Sequence, residues 1–405
     1  MKFVFPSLLF VLFVSCQVKK LPTTHNFPSP VDTQDRPIIL QEKKTYQIDG
    51  IQLSNEFDGA RANDFTKIND STYRVTILPE NEPINESPHY AFWINASDKR
   101  DINLEIYTGA YKHRYWPKLS LSDSPYEPID SMYFDTLKAG NIANLKLALS
   151  GEQLYVAAQE LRPSSYTKSW IAALEKGHPH ITTATVGQSK LKRDIDYLEL
   201  GEGSNDKKPA ILIFSRTHPP EISGYMAMEA FVEEILMDNP LAQAFRKKFR
   251  ILVYPLINPD GVDLGHWRHN AGGIDLNRDW GKFRQEEPYV VASHVLKETR
   301  ANKNEVLLGI DFHSTQEDVI YTHTPNRVSK IYPFKDLWLQ ALIDEGYQPN
   351  EEAYDLSSPM TKGWFYLEFD AEAIIYEVGD ETDRTYLKKK AGFAAREMMK
   401  LLVLR

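Results

Sequence analysis

From residue 165 onward the chain alternates short apolar runs with helix-patterned stretches, and few architectures accept that arrangement. The runs ILIFS (211–215), ILVYPLI (251–257), VLLGIDF (306–312) and AIIYEV (373–378) show no regular polar alternation. A strand that is apolar on both faces has to be covered on both, which is the condition of a buried, mainly parallel sheet. Helical patterns fill the gaps at 165–177, about 221–238, about 287–302 and about 385 to the end. The expectation is an α/β domain over 165–405, with a mainly parallel or mixed sheet and helices on both faces. Ligands of such sheets collect beyond the carboxyl ends of the strands.

The preceding region reads differently. Between residues 37 and 160 the runs are short and alternating: TYRVTIL (72–78), YAFWINA (90–96), INLEIYT (102–108) and KLALS (146–150). Turn-rich breaks such as NEPINESP and SDSPYEP separate them, as in an all-β sandwich. No cluster of chemistry-bearing residues stands out there, so this domain is expected to be structural. Residues 1–16, MKFVFPSLLFVLFVSC, place a lysine before an apolar run that ends on Cys16. That is the pattern of a secretory signal, too short for a comfortable membrane span. Cys16 at the cleavage point resembles the lipobox of bacterial lipoproteins, with Phe13 where Leu is usual. An exported protein, lipid-anchored to a membrane of the cell envelope at Cys16, is therefore expected. Residues 17–36, polar and proline-bearing, are expected to be a tether.

Cys16 is the single cysteine, which rules out an intrachain disulfide and a cysteine-rich zinc site. Any metal must be held by His, Asp or Glu. A net charge of −9 speaks against nucleic acid as a partner.

Four clusters fall at the strand ends. The first, Thr217-His218-Pro219-Pro220-Glu221, follows the run 211–215. A spacing of three brings imidazole and carboxylate to one side of a helical turn. Taken alone, His218 and Glu221 read equally as a surface histidine and a helix-start glutamate. The second, Asp311-Phe312-His313-Ser314, can supply another imidazole. Two His and one Glu form a known catalytic zinc set with one position left for water, and Asp311 is placed to orient a ligand from behind. The third runs from Asn258-Pro259-Asp260-Gly261 to Arg268, Asp275, Asn277, Arg278 and Asp279 on a Gly-rich irregular stretch. Guanidinium and amide donors together suit a carboxylate; the plainer reading is a solvated loop of paired ions. The fourth is Glu377, at the end of an apolar strand, where desolvation can raise its pKa into the range of a general base.

Together these clusters resemble the zinc metallocarboxypeptidases of the carboxypeptidase A superfamily, most nearly the cytosolic-carboxypeptidase-like branch. That branch reads H-P-G-E, N-P-D-G, R-x-N-x-x-G-x-D-L-N-R and D-x-H in order. Here the chain has HPPE, NPDG, RHNAGGIDLNR and DFHS. The aromatic segments FDGARANDF, YAFWINA and YTGAYKHRYWPKLSLSD resemble the branch's N-terminal β-sandwich. The resemblance implies one Zn2+ per chain held by His218, Glu221 and His313. It implies Arg268 at the scissile carbonyl, Asn277 and Arg278 on the substrate's terminal carboxylate, and Glu377 as general base and acid. The activity implied is release of the C-terminal residue of peptides through a metal-activated water. Pro220 departs from the usual Gly, and the turn is expected to survive because proline suits a helix start. Asp279 stands where Asn is frequent and is expected to tune charge at the clamp. Lys362, fifteen residues before Glu377, falls where the family places a side-chain-pocket residue; an exposed loop lysine is the alternative. Two other functions stay open on sequence alone: hydrolysis of peptidoglycan stem peptides or other amides on the same zinc scaffold, and non-catalytic surface binding.

Overall fold

The computed structural model describes residues 22–122, 124–136 and 140–405. The signal-like segment, with Cys16, lies outside them. Among the described residues no helix is long and apolar enough to cross a membrane.

Residues 45–157 form two antiparallel-dominated sheets laid face to face. One has six strands, ordered 45–48, 51–54, 91–96, 154–157, 118–121, 127–128; the other has five, ordered 64–67, 72–76, 100–107, 142–149, 134–136. Alternation drives this: Ile102, Leu104 and Ile106 point inward, as do Ala143, Leu145 and Leu147 on the neighbouring strand. Trp267, from the α/β domain, also sits in this core with no exposed surface.

The α/β domain is built on one eight-stranded mixed sheet. Its four central strands are parallel, in the order Arg250–Tyr254, Ala210–Ser215, Val306–Thr315, Glu372–Gly379. An antiparallel hairpin, Ile181–Gln188 with Asp194–Leu200, extends one edge. Val319–Thr322 runs antiparallel to Glu372–Gly379 on the other, with Glu351–Ala353 outside it. Both faces are covered, as the unbroken apolar runs require. Ile211 and Ile213 pack beneath the helices Ile222–Leu236, Phe334–Asp344 and Arg384–Val403. Leu212 and Phe214 pack beneath Glu286–Ala301 and Thr361–Phe369.

Residues 25–36 correct the expected tether. They form a strap laid across the α/β domain. The strap's backbone N–H groups at His25, Ser29 and Arg36 donate to the carbonyls of Gly281, Ser357 and Gly272 at 3.0, 3.0 and 2.9 Å. Thr33, fully buried, donates its hydroxyl to Asp279 at 2.5 Å. The Phe27 ring lies against Gly281 and Gly363. A polar composition reads as linker from sequence, but here the polar groups are satisfied by another part of the chain.

Candidate active site

His218 and Glu221 meet across a turn rather than on a helix. The helix starts only at Ile222, with Glu221 as its cap, so Pro220 precedes the first helical position instead of occupying it. The turn still brings His218 Nδ1 to 2.8 Å from Glu221 Oε1. Gly224, in the first turn of that helix, makes the third partner possible. A Cβ at position 224 would lie 2.2 Å from the His313 carbonyl oxygen. Without one, the helix rests on the backbone of the 306–315 strand, and Gly224 N–H donates to Ser314 Oγ at 2.8 Å. His313 Nδ1 then reaches Glu221 Oε2 at 2.7 Å. The candidate ligand atoms of His218, Glu221 and His313 all lie within 4.8 Å of one another, and all three side chains are buried.

The outer nitrogens of both rings are engaged. His218 Nε2 lies 2.9 Å from Asp275 Oδ1, and His313 Nε2 lies 2.8 Å from Asp311 Oδ2. An outer N–H donated to a carboxylate leaves Nδ1 bare and aimed inward, the arrangement of metal-ligating histidines. Thr361 hydroxyl donates to the same Asp311 oxygen at 2.6 Å. Two imidazoles and one carboxylate, converging and backed in this way, fit a zinc ion. Burial raises the Glu221 pKa, but the two imidazoles outweigh it and hold the carboxyl well below its usual range.

Asp275 is a hub that the sequence placed only among the paired ions of a loop. Its Oδ2 accepts from Arg268 Nε at 2.8 Å while Oδ1 serves His218. Burial works against charge on Arg268, and the carboxylates of Asp275, Glu221 and Glu377 more than reverse it. Glu377 is the register partner of His313 across two parallel strands. Its Oε2 is covered and has no hydrogen-bond partner. Burial pushes the carboxyl up to about 8, against the opposing pull of His313; a dication held by the neighbouring ligands acts in the opposite sense.

All seven side chains singled out from sequence line one cavity of about 360 Å³: His218, Glu221, Arg268, Asn277, Arg278, His313 and Glu377. Asn277 is held by the Thr361 N–H, which donates to its Oδ1 at 3.0 Å. Arg278 leans from the turn Leu276–Arg278, a third of its side chain exposed. Neither the pocket reading nor the exposed-loop reading of Lys362 holds, and Asp279 is not at the clamp. Lys362 is absent from the cavity lining and is fully buried; its ammonium donates to the carbonyls of Thr322 and Tyr354 at 2.7 and 2.9 Å, beneath the Tyr354 ring. Asp279 accepts from Thr33 and from the Gln285 N–H, away from the clamp.

The β-sandwich is not a bystander. Glu80, with no exposed surface, accepts the backbone N–H groups of Trp267, Arg268 and His269 at 2.8, 3.0 and 2.7 Å. Trp267 is plugged into the sandwich core, its ring edge-on to Tyr111 at 5.2 Å. The next residue, Arg268, is thereby aimed at the cavity. Arg114 and Asn85, also from the sandwich, line the cavity wall. No local pattern marks these residues, because each matters only through a partner in the other domain. Asp275 was more accessible to inference: a carboxylate inside a ligand-rich motif is a natural partner for an imidazole.

Residues 167–394 match the zinc carboxypeptidase family. The chain belongs to that family. Curated relatives are cytosolic carboxypeptidases; that of Xenopus tropicalis is 37% identical over 108 residues, 26% of this chain and 11% of the relative. The match thus spans about a tenth of that relative's length. Among solved structures, a metallo-carboxypeptidase from Burkholderia cenocepacia superposes with a TM-score of 0.71 at 16% identity, covering 87% of this chain and 98% of its own. A metallo-carboxypeptidase from Pseudomonas aeruginosa, solved with (2-guanidinoethylmercapto)succinic acid, gives 0.70 at 18% identity, covering 87% and 100%. These likenesses span both domains and show the shared fold.

Proposed function

We propose that this zinc carboxypeptidase family member removes the C-terminal residue of peptides, using one zinc ion per chain held by His218, Glu221 and His313. The observation that carries the reading is the convergence of those three ligands, each imidazole backed by its own carboxylate, beside the unpartnered Oε2 of Glu377. Zinc supplies a Lewis acid that acidifies water and polarises a carbonyl.

The chain's own groups do the rest. Glu377 takes a proton from the attacking water on its carboxylate and delivers it to the departing amine. The Arg268 guanidinium, oriented by Asp275, donates to the carbonyl oxygen as it becomes an oxyanion, a contact of about 3–4 kcal/mol. Asn277 and Arg278 hold the terminal carboxylate, which limits cleavage to one residue from the end. Export and lipid attachment at Cys16 belong to the same proposal and rest on the signal-like residues 1–16.

Metal analysis of the purified protein, paired with release of the terminal amino acid from peptides, tests the reading. Wild type should carry one zinc and release one residue. Glu377→Gln should keep the zinc and lose turnover by roughly a hundredfold or more. A Glu377→Gln protein with full activity would refute the assignment.

A further inference from the structure

The catalytic cavity contains three guanidinium groups, and the proposed chemistry uses only two. The third, Arg114, comes from the sandwich segment between the strands Arg100–Tyr107 and Lys118–Leu121. Its Nε donates to Asp380 Oδ2 at 2.7 Å, and its Nη2 donates to Asp380 Oδ1 and to the Ser314 carbonyl, each at 3.2 Å. One edge of the fork is therefore locked against the strand that carries His313 and the residue just past the strand that carries Glu377. The other nitrogen, Nη1, has no hydrogen-bond partner among the described residues. It is also not among the buried atoms left without one, so it is open to solvent in the cavity that Arg114 lines.

A bidentate pair with Asp380 would suffice to pin the two domains. It does not require a guanidinium face on the catalytic cavity, two donors free, beside the carbonyl of the residue that follows a metal-ligand candidate. A peptide offers three kinds of acceptor here. The terminal carboxylate is met by Asn277 and Arg278, and the scissile carbonyl by Arg268. The carbonyls on the N-terminal side of the scissile bond remain.

We infer that Arg114 of the β-sandwich is a substrate-binding residue, whose Nη1 donates to a backbone carbonyl upstream of the scissile bond. This rests on the carboxypeptidase reading. The sandwich then supplies part of the binding site itself, and a substrate meets it only with at least two residues upstream of the bond that is cut. A second cavity of about 230 Å³ offers a competing path. It shares Asn85, Arg268 and Arg278 with the first and is otherwise lined by the strap and its neighbours, Arg36 among them.

The test is a series of peptides with a free N-terminal amine, one terminal residue and one to four residues upstream of the cleaved bond, the shortest of which has no carbonyl upstream of the scissile one. Arg114→Gln should lose about ten- to hundredfold in kcat/KM on the longer peptides, the worth of a charged hydrogen bond, and at most about twofold on the shortest. Arg114→Lys should recover part of the loss, since a donor remains. An equal loss at every length would overturn the inference and make Arg114 a structural pin. No loss, or a length-dependent loss that follows Arg36→Gln instead, would overturn it too. Calorimetric binding of the same peptides to zinc-loaded Glu377→Gln protein, with and without Arg114→Gln, reads the contact without turnover. A length-dependent weakening there supports the contact even if wild type proves inactive, a result that would refute the hydrolase reading alone.

Discussion

Replacing Glu80 with Gln should damage stability and catalysis together, from a position in the domain that carries none of the proposed zinc ligands. Oε1 accepts two backbone N–H groups and Oε2 one. A glutamine keeps one oxygen and turns an NH2 toward a buried N–H that needs an acceptor. Losing one hydrogen bond to a charged group and orphaning its donor costs about 2–3 kcal/mol, a factor of roughly 30–150 in the folded-to-unfolded ratio. The buried Arg61 guanidinium also loses its compensating charge. Burial pushes the Glu80 carboxyl up, but His266, Arg61, His269 and the backbone donors reverse this and hold it at about 2, from an ordinary 4.5. A carboxyl depressed on folding stabilises fully above the unfolded pKa and loses that contribution as pH falls through the folded one. The wild-type advantage over Glu80→Gln, up to roughly 3 kcal/mol, should therefore shrink between about pH 4.5 and pH 2. Because the same bonds aim Arg268, kcat should fall about ten- to hundredfold with KM little changed. Urea denaturation at neutral and acid pH, with terminal-residue release at neutral pH, measures all three. A variant as stable as wild type at pH 7, or a stability gap that ignores pH, would refute the reasoning.

Asp311→Asn should weaken zinc binding by about 10–100-fold by loosening the outer hold on His313; chelator competition would show it, and unchanged affinity would remove the backing role. Acid should destabilise the fold well before the carboxylates protonate. Burial lowers His89 and His113 to about 4 and His323 to about 3, from 6.5, so the unfolded chain binds more protons and stability is lost as pH falls below about 6.5. For His89 the cause is visible: Nε2 bonds the Gly59 carbonyl at 2.9 Å while Nδ1 is buried with no acceptor for a second proton. A melting temperature flat from pH 7 to pH 4 would contradict this.

The sheet was readable because its strands are apolar on both faces, and the ligands because they cluster at strand ends. The 306–312 run was read short; the strand continues to Thr315 and carries His313 within it. The hairpin at 181–200 and the helices Pro240–Lys248, Phe334–Asp344 and Thr361–Phe369 were not anticipated. The last carries apolar residues on most of its surface, so its helical period is weak. Family spacing placed Lys362 in the pocket, but a buried ammonium needs acceptors, and two backbone carbonyls supply them elsewhere. Glu80 and Arg114 were invisible for a different reason. Their partners lie 187 and 266 positions away, and no window of sequence contains both ends of such a bond.

The strap at 25–36 bears on how this polypeptide can be divided. A fragment starting at the helix Ser164–Gly177 would contain every proposed catalytic group and still be incomplete. The Asp279 carboxylate would lose its hydroxyl partner, Gln285 the carbonyl of Thr33, and the loop at Ser357 its outer hydrogen bond. The stretch most easily dismissed as spacer is a missing piece of wall, and a cut ahead of Ser164 leaves its partners unsatisfied.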